Sequence, residues 1–225
     1  MNLPPLFQGV EVEHDPLAYL RQRASEGCDA GLLAYRLTAQ DLSAALVLAP
    51  EVPLSQAVAM LPVASVGLQN ALGAIGPPEV AVHLGWDGTI YLNDGICGHI
   101  AITADTDVPE ATPNWLIVSI TLVLQPKEGE QSPPTETSLA AEGCGEIDPE
   151  QLLEAWARHT LVWIDRWESE GPRPVHAEWS GLLRGLHETT PAGTFIGTDE
   201  AFGMLLRDAE GQTTLVPLTT HLERP

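Results

Sequence analysis

The sequence predicts an α+β fold: a central mixed, mainly antiparallel sheet flanked by helices, with a small β-barrel-like piece at the C-terminus. Three observations predict it. Short apolar runs bounded by turn residues alternate with helical patterns. Residues 115–124 form a long β-branched run without a breaker. After residue 193 only short strand patterns occur, so we place a main domain over residues 1–188 and a small β domain over residues 189–225.

The first 48 residues predict a helix and two strands after an extended, proline-rich lead-in. Asp15 suits the N-cap of a helix over residues 16–24, and Pro16 fits the first position of that helix. Two apolar runs follow, each bounded by turn residues, which predicts strands. These runs cover residues 31–36 and 43–48.

The next segment predicts a long helix and then a group of strands. Leucine and valine recur every three or four positions over residues 54–72, which predicts a helix. Pro62 lies inside this pattern and should kink or split the helix. Asn-Asp-Gly at residues 93–95 predicts a tight hairpin turn. The strand candidates around it are residues 80–84, 89–92 and 99–103.

The last part predicts two helices and a β tail. Asp148 is an N-cap candidate followed by a proline, and it begins a helix with a core-facing stripe. That stripe comprises Leu152, Trp156, His159, Trp163 and Trp167. Another helix is predicted over residues 175–186. Short strands then follow at residues 194–197, 204–207 and 213–218. A tail this short cannot hold a core alone, so it must pack on the main domain or on a partner.

Composition excludes several classes of function. The chain has 225 residues, 31 acidic and 10 basic side chains, and a formal net charge of −21. Such a charge repels phosphate backbones and anionic lipid, so we expect no nucleic-acid partner and no membrane partner. No secretory signal and no run of about 20 apolar residues is evident. Three widely spaced cysteines fit free thiols in the cytoplasm better than a disulfide scaffold.

Common cofactor and metal motifs are also absent from the sequence. The glycines form neither a dinucleotide fingerprint nor a phosphate-binding loop, and the acidic residues lack the spacing of a calcium loop. Cys97 and His99 are two residues apart and would share one face of a regular strand. Metal ligation or a Cys–His nucleophile would need further ligands or an orienting acid. We therefore favour a core thiol beside a neutral histidine and expect no metal.

An ordered set of segments resembles one enzyme family. Residues 85–101 read GWDGTIYLNDGICGHIA, residues 50–54 read PEVPL, and residues 137–143 read TSLAAEG. Together with the tryptophan-striped helix and the β tail, they resemble the biotin/lipoate protein ligases. The resemblance extends over nearly the whole chain from about Leu17. It implies a class II synthetase-like sheet and, in an active member, formation of an acyl adenylate with MgATP followed by transfer to a carrier-protein lysine.

The sequence departs from that family at the residues that carry the chemistry. The family's lysine after the hairpin turn is Ile96 here, and its Asn-Asp pair is Gly88-Thr89. A neutral side chain cannot stabilise the charge of an acyl phosphate. The arginine-rich loop has no room between Arg36 and the next strand, and the family's Gly-Ile-Gly-x-Asn strand end becomes residues 119–123, SITLV. These departures indicate a retained fold and lost ATP chemistry.

Two residues in the sequence are candidates to replace the missing lysine. Lys127, the single lysine of the chain, lies in a polar loop where a solvated side chain is expected. Arg36 lies where the shortened loop begins, and its guanidinium suits a carboxylate or phosphate. The resemblance implies a ligand site along the hairpin and at Arg36. The candidate ligand-binding residues are Trp86, Asp87, Thr89, Asn93, Ile96, Gly98, His99 and Arg36.

Three functions remain open from the sequence. We favour a catalytically degenerate relative that binds a small carboxylic acid, such as biotin or lipoate, or an acyl-carrier protein. The alternatives are an active ATP-dependent biotin- or lipoate-protein ligase with substitute residues, and a structural protein that self-associates as a homodimer. The acidic surface would slow encounter with acidic carrier domains. Replacing Trp86 with alanine is expected to lower ligand affinity without unfolding the protein.

Overall fold

The computed structural model describes residues 1–126, 133 and 135–223. It has a mostly antiparallel central sheet flanked by helices and a second, small sheet near the C-terminus, which confirms the predicted fold class. In this part of the chain the helices are α1 Pro16–Ser25, α2 Leu54–Ala57, α3 Met60–Ile75, α4 Pro149–Glu170, α5 Pro172–Leu182 and a 3₁₀ turn, Leu218–His221. The strands are β1 Gln8–Glu11, β2 Leu32–Leu37, β3 Asp41–Leu48, β4 Val82–Leu84, β5 Thr89–Leu92, β6 Gly95–Ala104, β7 Leu116–Val123, β8 Thr189–Thr190, β9 Gly193–Thr198, β10 Met204–Arg207, β11 Thr213–Val216 and β12 Leu222–Glu223.

The central sheet has the strand order β1-β2-β3-β7-β6-β5-β4. β1 pairs with β2 in parallel, and every other neighbouring pair along this path is antiparallel. β12 pairs in parallel with Ile102 and Thr103 of β6. Because β7 occupies one edge of β6 and β5 ends opposite His99, β12 fills the edge that β5 leaves free. The last strand of the chain is therefore part of the main sheet.

Helix starts follow the predicted capping signals. The Asp15 carboxylate accepts hydrogen bonds from the backbone N–H groups of Leu17 and Ala18, and α1 begins at Pro16. Asp148 accepts from the N–H of Glu150 in the same way, and α4 begins at the next residue. In each helix the cap satisfies an N–H group that has no partner within the helix, and the proline occupies a position that needs no N–H.

The long predicted helix is split, although not at Pro62. The chain breaks between α2 and α3, and Pro62 lies in the first turn of α3, where its missing N–H costs no helical hydrogen bond. By length and hydropathy alone, the span Leu54–Ile75 could cross a membrane. However, 72% of the 18-residue stretch that meets this test is buried inside the protein, as expected for core helices.

The two faces of the sheet carry different helices. The α3 face is covered by α3, α4 and α5 and holds the larger core, in which the Trp156 indole N–H donates to the Ala64 carbonyl oxygen at 3.1 Å. The α1 face is covered only in part, by α1, whose Leu20 and Ala24 pack against Ala34 and Ala45 of the sheet. The rest of the α1 face carries no helix in the described part of the chain.

The tail packs on the main domain, one of the two possibilities left by the sequence. β8 to β11 form an antiparallel sheet in the order β11-β10-β9-β8. Phe202 is buried against Trp179 and His176 of α5, with ring centroids 5.7 and 5.6 Å apart. Leu218 is also buried in the larger core. These contacts and the pairing of β12 with β6 join the tail to the main sheet.

The elements that sequence reasoning missed are short or at edges. β1, predicted as part of an extended lead-in, pairs with β2; β8 and β12 have two residues each. The helix predicted over residues 175–186 begins at Pro172 and ends at Leu182, because Leu183 is extended and forms a parallel bridge with Leu84. Too few side chains are involved in these elements for a periodic pattern to be visible.

Candidate functional site

The sheet register aligns polar side chains across five strands on the α1 face. Directly paired residues on neighbouring strands point to the same face of a sheet. The pairs run from β2 through β3, β7 and β6 to β5. We call the resulting set the polar row; it consists of Arg36, Ser43, Thr121, His99 and Thr89. The next aligned set on this face has small side chains: Ala34, Ala45, Ser119 and Ala101.

A cavity of about 150 Å³ lies where these two sets of residues meet. Small side chains leave space over the sheet, while the start of α1 and the strand β12 close the sides. Its polar lining comprises Asp15, Ser43, His99, Ser119, Thr121 and Glu223. The cavity therefore combines hydroxyl groups, an imidazole and two carboxylates over an apolar floor, which is a suitable lining for a small polar ligand.

Arg36 lies at one end of the polar row. It is half-buried, and its Nε–H group is buried without a hydrogen-bond partner among the described residues. Its cross-strand neighbour Ser43 lines the cavity. Three strand spacings separate Arg36 from His99, about 14 Å. A guanidinium with an unused donor is a natural partner for a carboxylate. The second candidate for the lysine's role, Lys127, lies outside the described residues.

The turn before β5 is fixed by the tail and by the sheet. Trp86 is only 6% exposed, and its indole N–H donates to the carbonyl oxygen of Phe202 at 2.7 Å. Asp87 is exposed, and its carboxylate accepts the backbone N–H of Thr89 at 3.0 Å. Gly88 has a φ of +94°, and a Cβ there would lie 2.0 Å from the carbonyl oxygen of Ile100. At this position the turn requires glycine rather than the family's asparagine.

The hairpin tip is held by its own contacts, away from the cavity. The φ angles of +44° and +79° at Asn93 and Asp94 fit the predicted tight turn. The Asn93 side chain donates to Glu142 at 2.8 Å and accepts the N–H of Ala81 at 3.0 Å. Ile96 takes part in backbone pairing with residues 135–137. The structure does not bring Asn93 or Ile96 to the cavity.

Cys97 and His99 do not share a face, contrary to the expectation from their spacing. The register shifts within the β5–β6 pair, where Ile90 lies opposite Gly98 but Tyr91 lies opposite Ile96, so Cys97 is an inserted residue. Cys97 is therefore buried in the core on the α3 face, while His99 lines the cavity on the α1 face. Gly98 lies between them, where a Cβ would be 2.2 Å from the Thr121 carbonyl oxygen.

The buried thiol is expected to be chemically inert. Burial raises the pKa of Cys97 to about 12, so the thiolate fraction at pH 7.5 is on the order of 1 in 10,000 or lower. In the native protein, iodoacetamide should modify the half-exposed Cys28 and leave Cys97 unmodified over the same time, as read by peptide mass spectrometry. Unfolding in urea should make all three cysteines reactive. Rapid modification of native Cys97 would contradict its placement in the core.

His221 joins the site from the tail and had no sequence signal. The edge of its ring contacts Trp86, with ring centroids 4.4 Å apart. Burial lowers the pKa of His221, the Asp87 carboxylate opposes that shift and the nearby His99 adds to it. The imidazole is therefore neutral at neutral pH and lies beside Asp87 and His99. In the part of the chain that the structure describes, no group of three or more His, Cys, Asp or Glu could hold a metal ion.

Other cavity residues were missed although a signal existed for some of them. Ser43, Ser119 and Thr121 are hydroxyl residues at alternate positions of otherwise apolar strands, a pattern that marks one face of a sheet. Glu223 lies near the chain end and had no such pattern. Of the residues predicted from sequence, His99 lines the cavity, while Arg36 and Thr89 lie in the polar row outside its lining.

Comparison with known proteins agrees with this architecture. The profile of the Biotin/lipoate A/B protein ligase family matches residues 3–181, and a domain of unknown function (DUF4444) matches residues 185–224. A biotin protein ligase-like protein of unknown function from Silicibacter sp. TM1040 is 50% identical, with a TM-score of 0.93 over 99% of each chain.

More distant relatives carry enzyme names. A biotin–acetyl-CoA-carboxylase ligase of Paracoccus denitrificans is 23% identical over 189 residues, covering 80% of this chain and 79% of the relative. The biotin protein ligase of Aquifex aeolicus is 15% identical with a TM-score of 0.76, covering 94% of this chain and 96% of that one, which shows a shared fold. Because the family profile spans most of the sequence, the chain belongs to the biotin/lipoate A/B protein ligase family.

Proposed function

We propose that this chain is a catalytically degenerate member of its family that binds a small carboxylic acid on the α1 face. The observation that carries the proposal is the polar row, which ends at Arg36 with a buried Nε–H group that has no partner among the described residues. A carboxylate would supply that partner and neutralise the guanidinium charge. Biotin, lipoate and octanoate are the acids to test first, because the family relationship points to them.

Loss of adenylation is supported by the side chains at the family's catalytic positions. Ile96 replaces the lysine, is held by backbone pairing with residues 135–137, and lies away from the cavity. Gly88 replaces the asparagine because the turn there leaves no space for a side chain. Without a cation at either position, nothing on this hairpin offsets the charge that develops on an acyl phosphate. The site therefore binds an acid and does not activate it.

A carrier protein is a less favoured partner for this chain. The formal charge of −21 gives a surface that repels acidic domains and slows their encounter. A small acid is affected less by that surface, because its carboxylate is paired locally with Arg36. We therefore place the small acid first and the carrier protein second.

Calorimetric titration with biotin, lipoic acid and octanoic acid, each with and without MgATP, tests this function. Micromolar binding of one acid, unchanged by MgATP and without pyrophosphate release, is expected. Binding that tightens strongly with MgATP would overturn the proposal in favour of an active ligase. Absence of binding for all three acids would overturn it in favour of a structural role.

Replacing Arg36 with glutamine should weaken binding of that acid about 30-fold, because a hydrogen-bonded charge pair contributes about 2 kcal/mol. The thermal midpoint should change little, because the guanidinium Nε has no protein partner to lose among the described residues. Arg23→Gln is the matched control, since Arg23 pairs with Glu26 on the exposed side of α1. Equal affinities for the Arg36 variant and the control would show that Arg36 is not the carboxylate partner.

A further inference from the structure

We propose that an open cleft at one end of the central sheet binds a small apolar organic cation, such as a hydrophobic amine. We call it the end cleft; its volume is about 830 Å³. None of its lining residues lines the cavity on the α1 face, so the inference does not depend on the acid site. The lining comes from residues 6–7, 30–31, 48–52, 56–60 and 161–172.

The end cleft lies at the opposite end of β2 from Arg36. Gly31, which immediately precedes β2, lines the end cleft and is five positions before Arg36. At the rise of an extended strand that separation is about 16 Å. Backbone hydrogen bonds fix the wall here, because the Gln8 N–H donates to the Gly31 carbonyl oxygen at 2.9 Å and the Gly31 N–H donates to Val47 at 2.8 Å. A small ligand can therefore fill the end cleft without reaching the polar row.

The size and the walls of the end cleft are those of a small-molecule site. Such sites usually have volumes of about 300–1,000 Å³ and mostly apolar walls. Aliphatic and aromatic side chains predominate in the end cleft, and Met60, Ile164 and Trp167 belong to the larger core or pack against it. Leu6, which also lines the end cleft, is 71% exposed. A ligand that covered Leu6 would remove apolar surface from water, which favours binding.

The charged side chains of the end cleft are both negative. Glu51 and Glu168 line it, and its lining contains no basic residue among those that the structure describes. Within the same part of the chain, neither carboxylate has a hydrogen-bond or ion-pair partner. Glu170, by contrast, is paired with Arg166 at 3.1 Å. Two unpaired carboxylates beside an apolar wall favour a ligand that brings a positive charge.

The C-terminal end of α4 adds a second source of negative potential. Gly171 directly follows this 22-residue helix and lines the end cleft. The last carbonyl oxygens of a helix have no helical partner and carry the negative end of its dipole. The last turn of α4 contains no basic residue, and Pro172, which also lines the end cleft, has no N–H group to donate. The next cation in the chain, Arg173, is exposed and lies outside the lining.

Two aromatic side chains complete the recognition of a cation. Phe7 and Trp167 both line the end cleft and are half-buried, and Trp167 directly precedes Glu168. The negative face of an aromatic ring attracts an ammonium group. An amine with an apolar body therefore satisfies the apolar walls, the carboxylates and the rings together. A ligand with an anionic group would place that group against Glu51 and Glu168.

Calorimetric titration with 4-phenylbutylamine and 4-phenylbutanol tests the ligand class, because the two probes differ only in the ammonium and hydroxyl groups. The native chain should bind the amine about tenfold more tightly, as expected for a partly desolvated cation beside aromatic rings. The double variant Glu51→Gln/Glu168→Gln should reduce that ratio to about twofold. The control double variant Glu200→Gln/Glu210→Gln removes the same charge from exposed turns of the small sheet and should keep the native ratio.

Ala49→Trp tests the location. Ala49 is exposed and lines the end cleft, so an indole ring there takes up the space of the ligand without removing a buried side chain. Both probes should bind at least about tenfold more weakly, because their apolar bodies lose contact area. The thermal midpoint should stay close to that of the native chain. Octanoate should not displace the amine, because the two sites share no lining residue.

Four results would overturn the inference. Equal affinities of the native chain for the two probes would exclude a preference for a cation. An equal fall of the ratio in both double variants would assign that preference to the overall charge of the chain. Absence of binding for both probes, or native affinities in the Ala49 variant, would exclude the end cleft as the site. Displacement of the amine by octanoate would place the amine in the acid site, and that result would leave the proposed function standing.

Discussion

Trp86→Ala is expected to lower the free energy of unfolding by about 4 kcal/mol, the usual cost of truncating a buried tryptophan. Trp86 is 6% exposed and belongs to the larger core. Its indole N–H also donates to the Phe202 carbonyl oxygen, and its ring contacts His221. The substitution would therefore leave a cavity, an unpaired carbonyl group and a His221 ring that has lost its aromatic contact. The sequence predicts a loss of ligand affinity without unfolding for this variant; the structure adds that the folded state is substantially less stable.

Urea denaturation followed by circular dichroism measures the loss of stability. Trp86→Phe is the matched control, because it keeps an aromatic ring and loses the N–H and part of the indole, so it should cost less stability than alanine. Hydrogen exchange of residues 217–223, which include the Trp86 partner His221, should also rise more in the alanine variant than exchange of α1, whose buried residues belong to the smaller hydrophobic cluster. A native unfolding midpoint for the alanine variant would contradict the contacts that join Trp86 to the tail.

Local signals account for the parts of the fold that the sequence predicts well. Asp15 and Asp148 cap helices at the predicted residues, because a capping carboxylate and a following proline act within three residues. Asn93 and Asp94 form the hairpin turn for the same reason, since their positive φ angles are a property of the turn itself. The main sheet was also predictable, because its strands are apolar runs bounded by turn residues.

The site depends on non-local order, which explains why only part of it was predicted. Arg36 and His99 belong to one row because β2, β3, β7 and β6 are neighbours, and β7 inserts between β6 and β3, which is distant from it in sequence. The inserted residue Cys97 reverses the faces of β6, and no local pattern marks it. Glu223 reaches the cavity only because the tail returns to the main sheet.

Gly88→Ala is expected to destabilise the protein by about 3 kcal/mol. The backbone there has a φ of +94°, and placing an L side chain in the left-handed region costs about 1–2 kcal/mol. A Cβ would also lie 2.0 Å from the Ile100 carbonyl oxygen, far inside any real contact, so the turn must move away from β6. Forced shifts in a packed region cost a further 1–3 kcal/mol or so. The unfavourable backbone conformation and the forced shift both lower the free energy of unfolding, so their effects add.

Gly73→Ala is the matched control, and it should change the free energy of unfolding in the opposite direction. Gly73 lies inside α3, and a Cβ there would meet nothing within 4 Å. Alanine in a helix interior is favoured over glycine by about 0.5–1 kcal/mol, so this variant should be more stable than the native chain. The two unfolding midpoints should therefore lie on either side of the native one. If Gly88→Ala were as stable as Gly73→Ala, the turn would not need glycine. The absence of the family's asparagine would then reflect lost chemistry alone, rather than a backbone that leaves no space for a side chain.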